Sequence, residues 1–338
     1  MSFRRNLGLL VAAAAVLSVA ACSSPDAETG AADTGGTGFP ITVDHAFGST
    51  VIESADRIAT VGWANQEVPL ALGVVPVGMA KATWGDDDGD GILPWVEKKL
   101  TELGAPTPAV YDETDGPDYE AVAATEPDVI LAAYSGLTRE QFDKLNKIAP
   151  VVAYPTTPWG TTWDDTIAVN ATAMGREGDG TKLIETLNGH VDAAVAAHPD
   201  LRNAKTLFAY LDPTDMSQIG YYTLNDPRAE FLKSAGLPVP AVVETASKSS
   251  PEFFQQVSAE RADEFADVDL IVTYGDDKTL AQLQADPLLG KIPAIAAGRV
   301  AILQNETPLA AASNPTALSI PSNITAYFDL LAAGLKQS

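Results

Sequence analysis

The chain has 338 residues, 46% of them hydrophobic, which is enough apolar material for two packed lobes. Its formal net charge is -24; removing residues 1–21 takes away Arg4 and Arg5 and no acidic residue, giving -26, a balance that argues against nucleic acid or another polyanion, whose binding needs a basic footprint. A single cysteine, Cys22, excludes a disulfide framework, so the fold must rest on its cores.

Arg4 and Arg5 precede an apolar run from Leu7 to Ala21 that ends at Val19-Ala20-Ala21-Cys22. A basic start, a run shorter than a membrane span and small residues before a cysteine read as a secretory lipoprotein signal over 1–21, with lipid attached to Cys22. The arginine pair leaves twin-arginine export open beside the general route. Residues 22–38 are almost all Ser, Pro, Asp, Glu, Thr, Ala and Gly, too polar to offset the entropy of ordering, and read as a tether between lipid and domain.

Ile41–His45 and Thr50–Ile52 read as a hairpin with Phe47-Gly48-Ser49 as its turn. Strands follow at Arg57–Val61, Val75–Met79, Asp128–Ala133 and Val151–Tyr154, separated by helices at Pro69–Leu72, Asp118–Thr125 and Thr138–Ile148. That rhythm predicts an α/β lobe with a largely parallel sheet over 39–175. Trp163–Met174 reads as helix, and Gly180–Ala197 as about 18 residues of helix spanning roughly 27 Å. Its apolar residues, Leu183, Ile184, Leu187, Val191, Ala194 and Val195, share one face. It serves either as a spine between lobes (176–200) or as an ordinary crossover helix. A second α/β lobe over 201–338 is read from strands at Thr206–Tyr210, Val239–Val243, Asp269–Thr273 and Val300–Leu303. Helices at Pro227–Ala235, Ala259–Phe265, Leu280–Ala285 and Ser322–Leu335 accompany them. Two lobes of similar grammar suit a ligand cleft between them.

Catalytic signatures are few: there is no Gly-x-Ser-x-Gly elbow and no phosphate-binding loop, and the three histidines stand at 45, 190 and 198. Aromatic residues beyond strand ends are more informative, because ligands of open parallel sheets bind outside the carboxyl ends of the strands. Trp63, Trp84, Tyr134, Trp159 and Trp163 are expected on one rim, answered by Tyr221 and Tyr222 from the second lobe. Their rings offer apolar area, polar tips and attraction for a cation. One further motif, Asp86, Asp88, Asp90, Gly91 and Glu97, matches the spacing of a calcium loop, although Pro94 restricts it and no helix is predicted before it. It reads as a calcium site, an acidic solvated loop or a lid over a cationic ligand.

Four stretches, ITVDHAFGSTVIESADRIATVGWANQEVPLALGVVPVG, PDYEAVAATEPDVILAAYSGLTREQFDKLNKIAPVVAYP, PWGTTWDD and VSAERADEFADVDLIVTY, together resemble the iron–siderophore substrate-binding lipoproteins of ABC importers, over about residues 41–330. The resemblance implies a periplasmic-binding-protein-like fold, two α/β lobes joined by a single long helix. It implies a non-catalytic, monomeric carrier, lipid-anchored on the extracytoplasmic face. Its ligand is a ferric siderophore and its partner an ABC permease, with no resident cofactor. Glu120 and Glu260 fall on the family's permease-docking glutamates, one on each lobe. Sparse basic residues near the rim favour a hydroxamate over an anionic tris-catecholate. Cobalamin or haem binding is the nearest alternative, and a metal-dependent extracytoplasmic hydrolase a more distant one.

Overall fold

The computed structural model describes residues 38–337; the signal segment, Cys22 and all of the tether but Gly38 lie outside the described residues. The chain enters through a hairpin of β1 (Ile41–His45) and β2 (Gly48–Ile52), paired so that His45 faces Gly48. The turn is therefore Ala46-Phe47, and Gly48 and Ser49 belong to the ladder rather than to the turn. Phe47 can occupy a turn because its ring packs on Phe142 and Tyr154, at 4.9 and 5.3 Å between centroids.

The first sheet contains β3 (Ile58–Thr60), β4 (Gly78–Ala80), β5 (Ala109–Tyr111), β6 (Val129–Ala132) and β7 (Val151–Ala153). Its order is β5-β4-β3-β6-β7 and every pairing is parallel. All residues of β3, β6 and β7 are buried, because helices cover both faces of such a sheet, and this makes those strands legible as unbroken apolar runs. The second sheet contains β8 (Thr206–Tyr210), β9 (Gln218–Tyr222), β10 (Phe254–Ser258), β11 (Leu270–Gly275) and β12 (Val300–Gln304), in the order β10-β9-β8-β11-β12. Here β8, β11 and β12 are parallel, while β9 runs against both of its neighbours, so the sheet is mixed.

The expected strand at Val239–Val243 is not one. Pro240 caps a helix over Ala241–Ser249, in which Val243 and Ala246 are buried three residues apart, the helical rather than the strand period. Two further segments differ from the expectation. The strand expected at Val75–Met79 is β4, beginning at Gly78, and the segment Ala259–Phe265 is a 3₁₀ rather than an α-helix.

The long helix spans Glu177–Ala196, 20 residues or about 30 Å, with Gly178 inside it rather than before it. Leu187, Val191, Ala194 and Val195 lie in one buried cluster with Ile167 and Ala171 of the helix Trp163–Ala173 and with Tyr327, Phe328 and Leu331 of the helix Ser319–Lys336. Full burial of each large side chain in this cluster contributes about 1.5–3 kcal/mol. The chain also crosses back to the first lobe after β12. Ala311, Ala312 and Leu318 share a core with Met79, Trp95 and Leu100, although they follow the second sheet in sequence. Glu67 fastens this return: its buried carboxylate accepts hydrogen bonds from Trp95 Nε1 at 2.6 Å and Leu318 N at 2.8 Å.

Candidate ligand cleft

The order of the first sheet reverses between β3 and β6, and the segments leaving the carboxyl ends of these two strands flank an open crevice. Trp63 follows β3 and Tyr134 follows β6. Asn65 holds the two segments together: Nδ2 donates to Val61 O (2.8 Å) and Tyr134 O (2.9 Å), and Oδ1 accepts from Tyr134 N (3.1 Å) and Asn170 Nδ2 (3.0 Å). Fully buried and with all four bonds made, this side chain fixes the spacing of the two aromatic walls.

Trp63, Trp84, Tyr134 and Trp159 come together around a cleft of about 310 Å³, joined by Asp226, Arg228, Phe253, Tyr274 and Asn314. Trp84 meets Tyr274 edge-on at 5.2 Å and Trp159 meets Tyr134 edge-on at 5.4 Å. The Tyr134 hydroxyl accepts from Asn314 Nδ2 at 2.9 Å. Trp159 adopts a left-handed φ of 57° and keeps its backbone bonded to Ser135 O at 3.0 Å. Its indole lies over Gly136, where a Cβ would come within 2.2 Å of Nε1. Trp63 Nε1 is buried without a hydrogen-bond partner. The cleft continues past Trp84, Arg228 and Tyr274 into a groove of about 400 Å³ lined also by Tyr210, Tyr222, Asn305 and Glu306.

Two of the expected rim residues lie elsewhere. Trp163 is buried beneath the cleft, packed with Val68 and Ile167. Tyr221 faces the opposite side of the second sheet, against Phe265, because neighbouring residues of β9 point to opposite faces; only Tyr222 turns toward the groove.

Arg228, absent from the expected set, is the one basic residue lining the cleft or its groove among the described residues. It lies 3.8 Å from the centroid of the Tyr222 ring. Asp226 holds it in a fork, Nε to Oδ1 at 2.8 Å and Nη2 to Oδ2 at 2.7 Å, and also caps the helix Pro227–Ser234 through Arg228 N. An Asn-Asp-Pro-Arg helix start is the only sequence signal for this pair. Burial pushes the Tyr222 hydroxyl up to about 12 and raises Tyr134 further, so both remain protonated donors.

Behind Trp63, Glu113 Oε2 accepts from Gly62 N at 2.8 Å while Oε1 is buried without a partner, and burial pushes the carboxyl up to about 7. Asp86, Asp88 and Asp90 gather within 4.8 Å, while Glu97 lies in the helix Pro94–Glu102. Asp86 already accepts from Gly89 N and Gly91 N, and nothing beyond the acidic cluster points to calcium. Glu120 and Glu260 are both exposed, each in the first turn of its helix.

A family model described as Periplasmic binding protein matches residues 58–307. The chain belongs to that family. Its members are binding proteins, and this chain carries the two five-stranded sheets described above. Among solved structures, PiaA of Streptococcus pneumoniae TIGR4, crystallised in complex with ferrichrome, is 44% identical, with a TM-score of 0.84 over 88% of this chain and 99% of that one. The iron(3+)-hydroxamate-binding protein YxeB of Bacillus subtilis (strain 168) is 25% identical over 73% of this chain and 72% of its own length. The Bacillus subtilis protein named Probable siderophore-binding lipoprotein YfiY is 28% identical over 54% of this chain, and the match spans about half, 53%, of its length. Among the described residues no helix is long and apolar enough to cross a membrane.

Proposed function

We propose that this periplasmic binding protein captures a ferric siderophore of the hydroxamate class and delivers it to an ABC importer permease. The observation that carries the reading is the aromatic cleft at the strand ends, continuous with a groove of about 400 Å³ and holding a single arginine already paired to a carboxylate. Trp63, Trp84, Trp159 and Tyr222 supply flat apolar contact, while Tyr134, Tyr274, Asn314 and Arg228 supply donors for chelate oxygens. The relatives named for ferrichrome and ferric hydroxamate support the same ligand class.

In this reading the protein performs no turnover. The lobes correspond to 39–175 and 201–338 about the helix within 176–200, except that Ala311, Ala312 and Leu318 pack in the first lobe as a second tie. Cys22 carries the lipid that holds a monomeric domain at the extracytoplasmic face. Fluorescence titration of residues 39–338 with ferrichrome and with ferric enterobactin tests the ligand. Saturable quenching by ferrichrome is expected, and a clear preference for the tris-catecholate would overturn the hydroxamate assignment.

A further inference from the structure

Charge, not only shape, divides ferric siderophores, and the lining of this cleft has an unusual charge balance. Arg228 is paired with Asp226 in the cleft, and Glu306 is a second carboxylate lining the adjoining groove. The Asp226 side chain is 2% exposed and that of Arg228 18%, so the pair is fixed well inside the protein while the guanidinium edge still reaches the ligand space. Both Asp226 oxygens are engaged by Arg228, and Nη1 donates a long bond of 3.4 Å to the Tyr274 hydroxyl while its second N–H is left for further bonding. An unpaired arginine here would attract anionic chelates, because a charge in a partly buried site is poorly screened. With Asp226 beside it, the guanidinium can donate hydrogen bonds without presenting a net positive charge.

Resting on the siderophore reading, we propose that Asp226 is a specificity-determining residue: it cancels the charge of Arg228 so that the cleft admits neutral and cationic ferric complexes and discriminates against anionic ones. The carboxylate acts by its charge and not only by holding the arginine in place. Asn at 226 keeps a helix cap and one acceptor for Arg228 while removing the charge.

The test uses three complexes with one iron-binding core: ferrioxamine B, its N-acetyl derivative and its N-succinyl derivative, which carry a positive, a zero and a negative charge. Affinities are measured by fluorescence at low salt for wild type, Asp226→Asn and Asp226→Glu. Wild type should prefer the cationic to the anionic complex. Asp226→Asn should shift that ratio by about tenfold or more toward the anion, the size expected for one charge near the site. The neutral complex is the reference for both ratios and should shift less than either charged one, and Asp226→Glu should restore the wild-type ratio. Asp226→Ser, which also caps a helix, replaces Asp226→Asn if the latter does not fold. A ratio within twofold of wild type, or equal losses for all three complexes, would overturn the proposal and leave Asp226 a purely structural partner. If wild type binds neither these three complexes nor ferrichrome, the siderophore reading itself fails.

Discussion

Trp159 and Gly136 show how one position constrains another. The indole occupies the space a side chain at 136 would need, and it is 37% exposed, so it can be displaced without opening the core. Gly136→Ala should therefore move the ring and weaken ferrichrome binding, while thermal stability changes little. Trp159→Ala should weaken binding by about 1–3 kcal/mol, as loss of an aromatic anchor does. Parallel titrations and melting curves check both; a full-affinity Gly136→Ala protein would remove Trp159 from the contact surface. Glu113 offers a test of a different kind. Its carboxyl titrates near 7 in the folded protein, against 4.5 for the unperturbed group, because burial penalises the anion. Below about pH 4.5 it is protonated in both states and costs nothing. As pH rises from there to 7 only the unfolded chain releases its proton, so stability falls, by at most roughly 3 kcal/mol. Glu113→Gln should keep an acceptor for Gly62 N and remove that decline. Melting temperature against pH, wild type minus variant, should slope downward between 4.5 and 7, and a flat difference would refute the raised pKa.

Two of the three glycines in the helix Glu177–Ala196 have opposite surroundings. At Gly189 nothing outside the helix's own neighbouring backbone lies within 4 Å of the place a Cβ would take, so alanine there only relieves backbone entropy. Gly189→Ala should stabilise by about 0.5–1 kcal/mol. At Gly180 a Cβ would stand 2.5 Å from Ala171 Cβ, so the close approach of the two helices requires glycine. Gly180→Ala should destabilise by about 1–3 kcal/mol despite the better helix propensity, through overpacking. Denaturant midpoints measure the pair, and equal gains at both sites would contradict the observed helix contact. Neither outcome follows from the sequence, where both glycines stand in the same helical pattern. The apolar run Val239–Val243 teaches the same lesson, since four or five apolar residues fit either period and Pro240 with a buried i, i+3 pair decided for helix.

For the whole molecule, capture and delivery separate. Glu120 and Glu260 are exposed and absent from the residues lining the cleft, so Glu120→Arg and Glu260→Arg should leave ferrichrome affinity nearly unchanged. On the docking role that the family resemblance implies for them, iron uptake by cells should fall sharply, because each substitution would replace an attractive contact with permease arginines by repulsion. The double variant should be little worse than either single one if both lobes must engage. Wild-type uptake of radioactive iron by the double variant would remove both residues from docking. The molecule itself is held by more than the long helix: Ala311, Ala312 and Leu318 return to the first lobe and are fastened at Glu67, a second tie between the lobes.

Strand, helix and strand rhythm determined the two α/β lobes and the long helix, because strands buried on both faces and helices buried on one leave distinct apolar periods in a single chain. The same reasoning placed Trp63, Trp84, Tyr134 and Trp159 at strand ends, which the parallel topology turns toward one crevice. The sequence could not separate Tyr221 from Tyr222, which required the register of β9, nor show that Trp163 packs beneath the cleft. Asp226, Arg228, Tyr274 and Asn314 came from the second lobe and the returning segment, as did the tie at Glu67. Local patterns report which face of an element is buried; which residues of separate elements share one cavity depends on contacts far apart in the chain, such as Tyr134 with Asn314, and only the tertiary structure decides these.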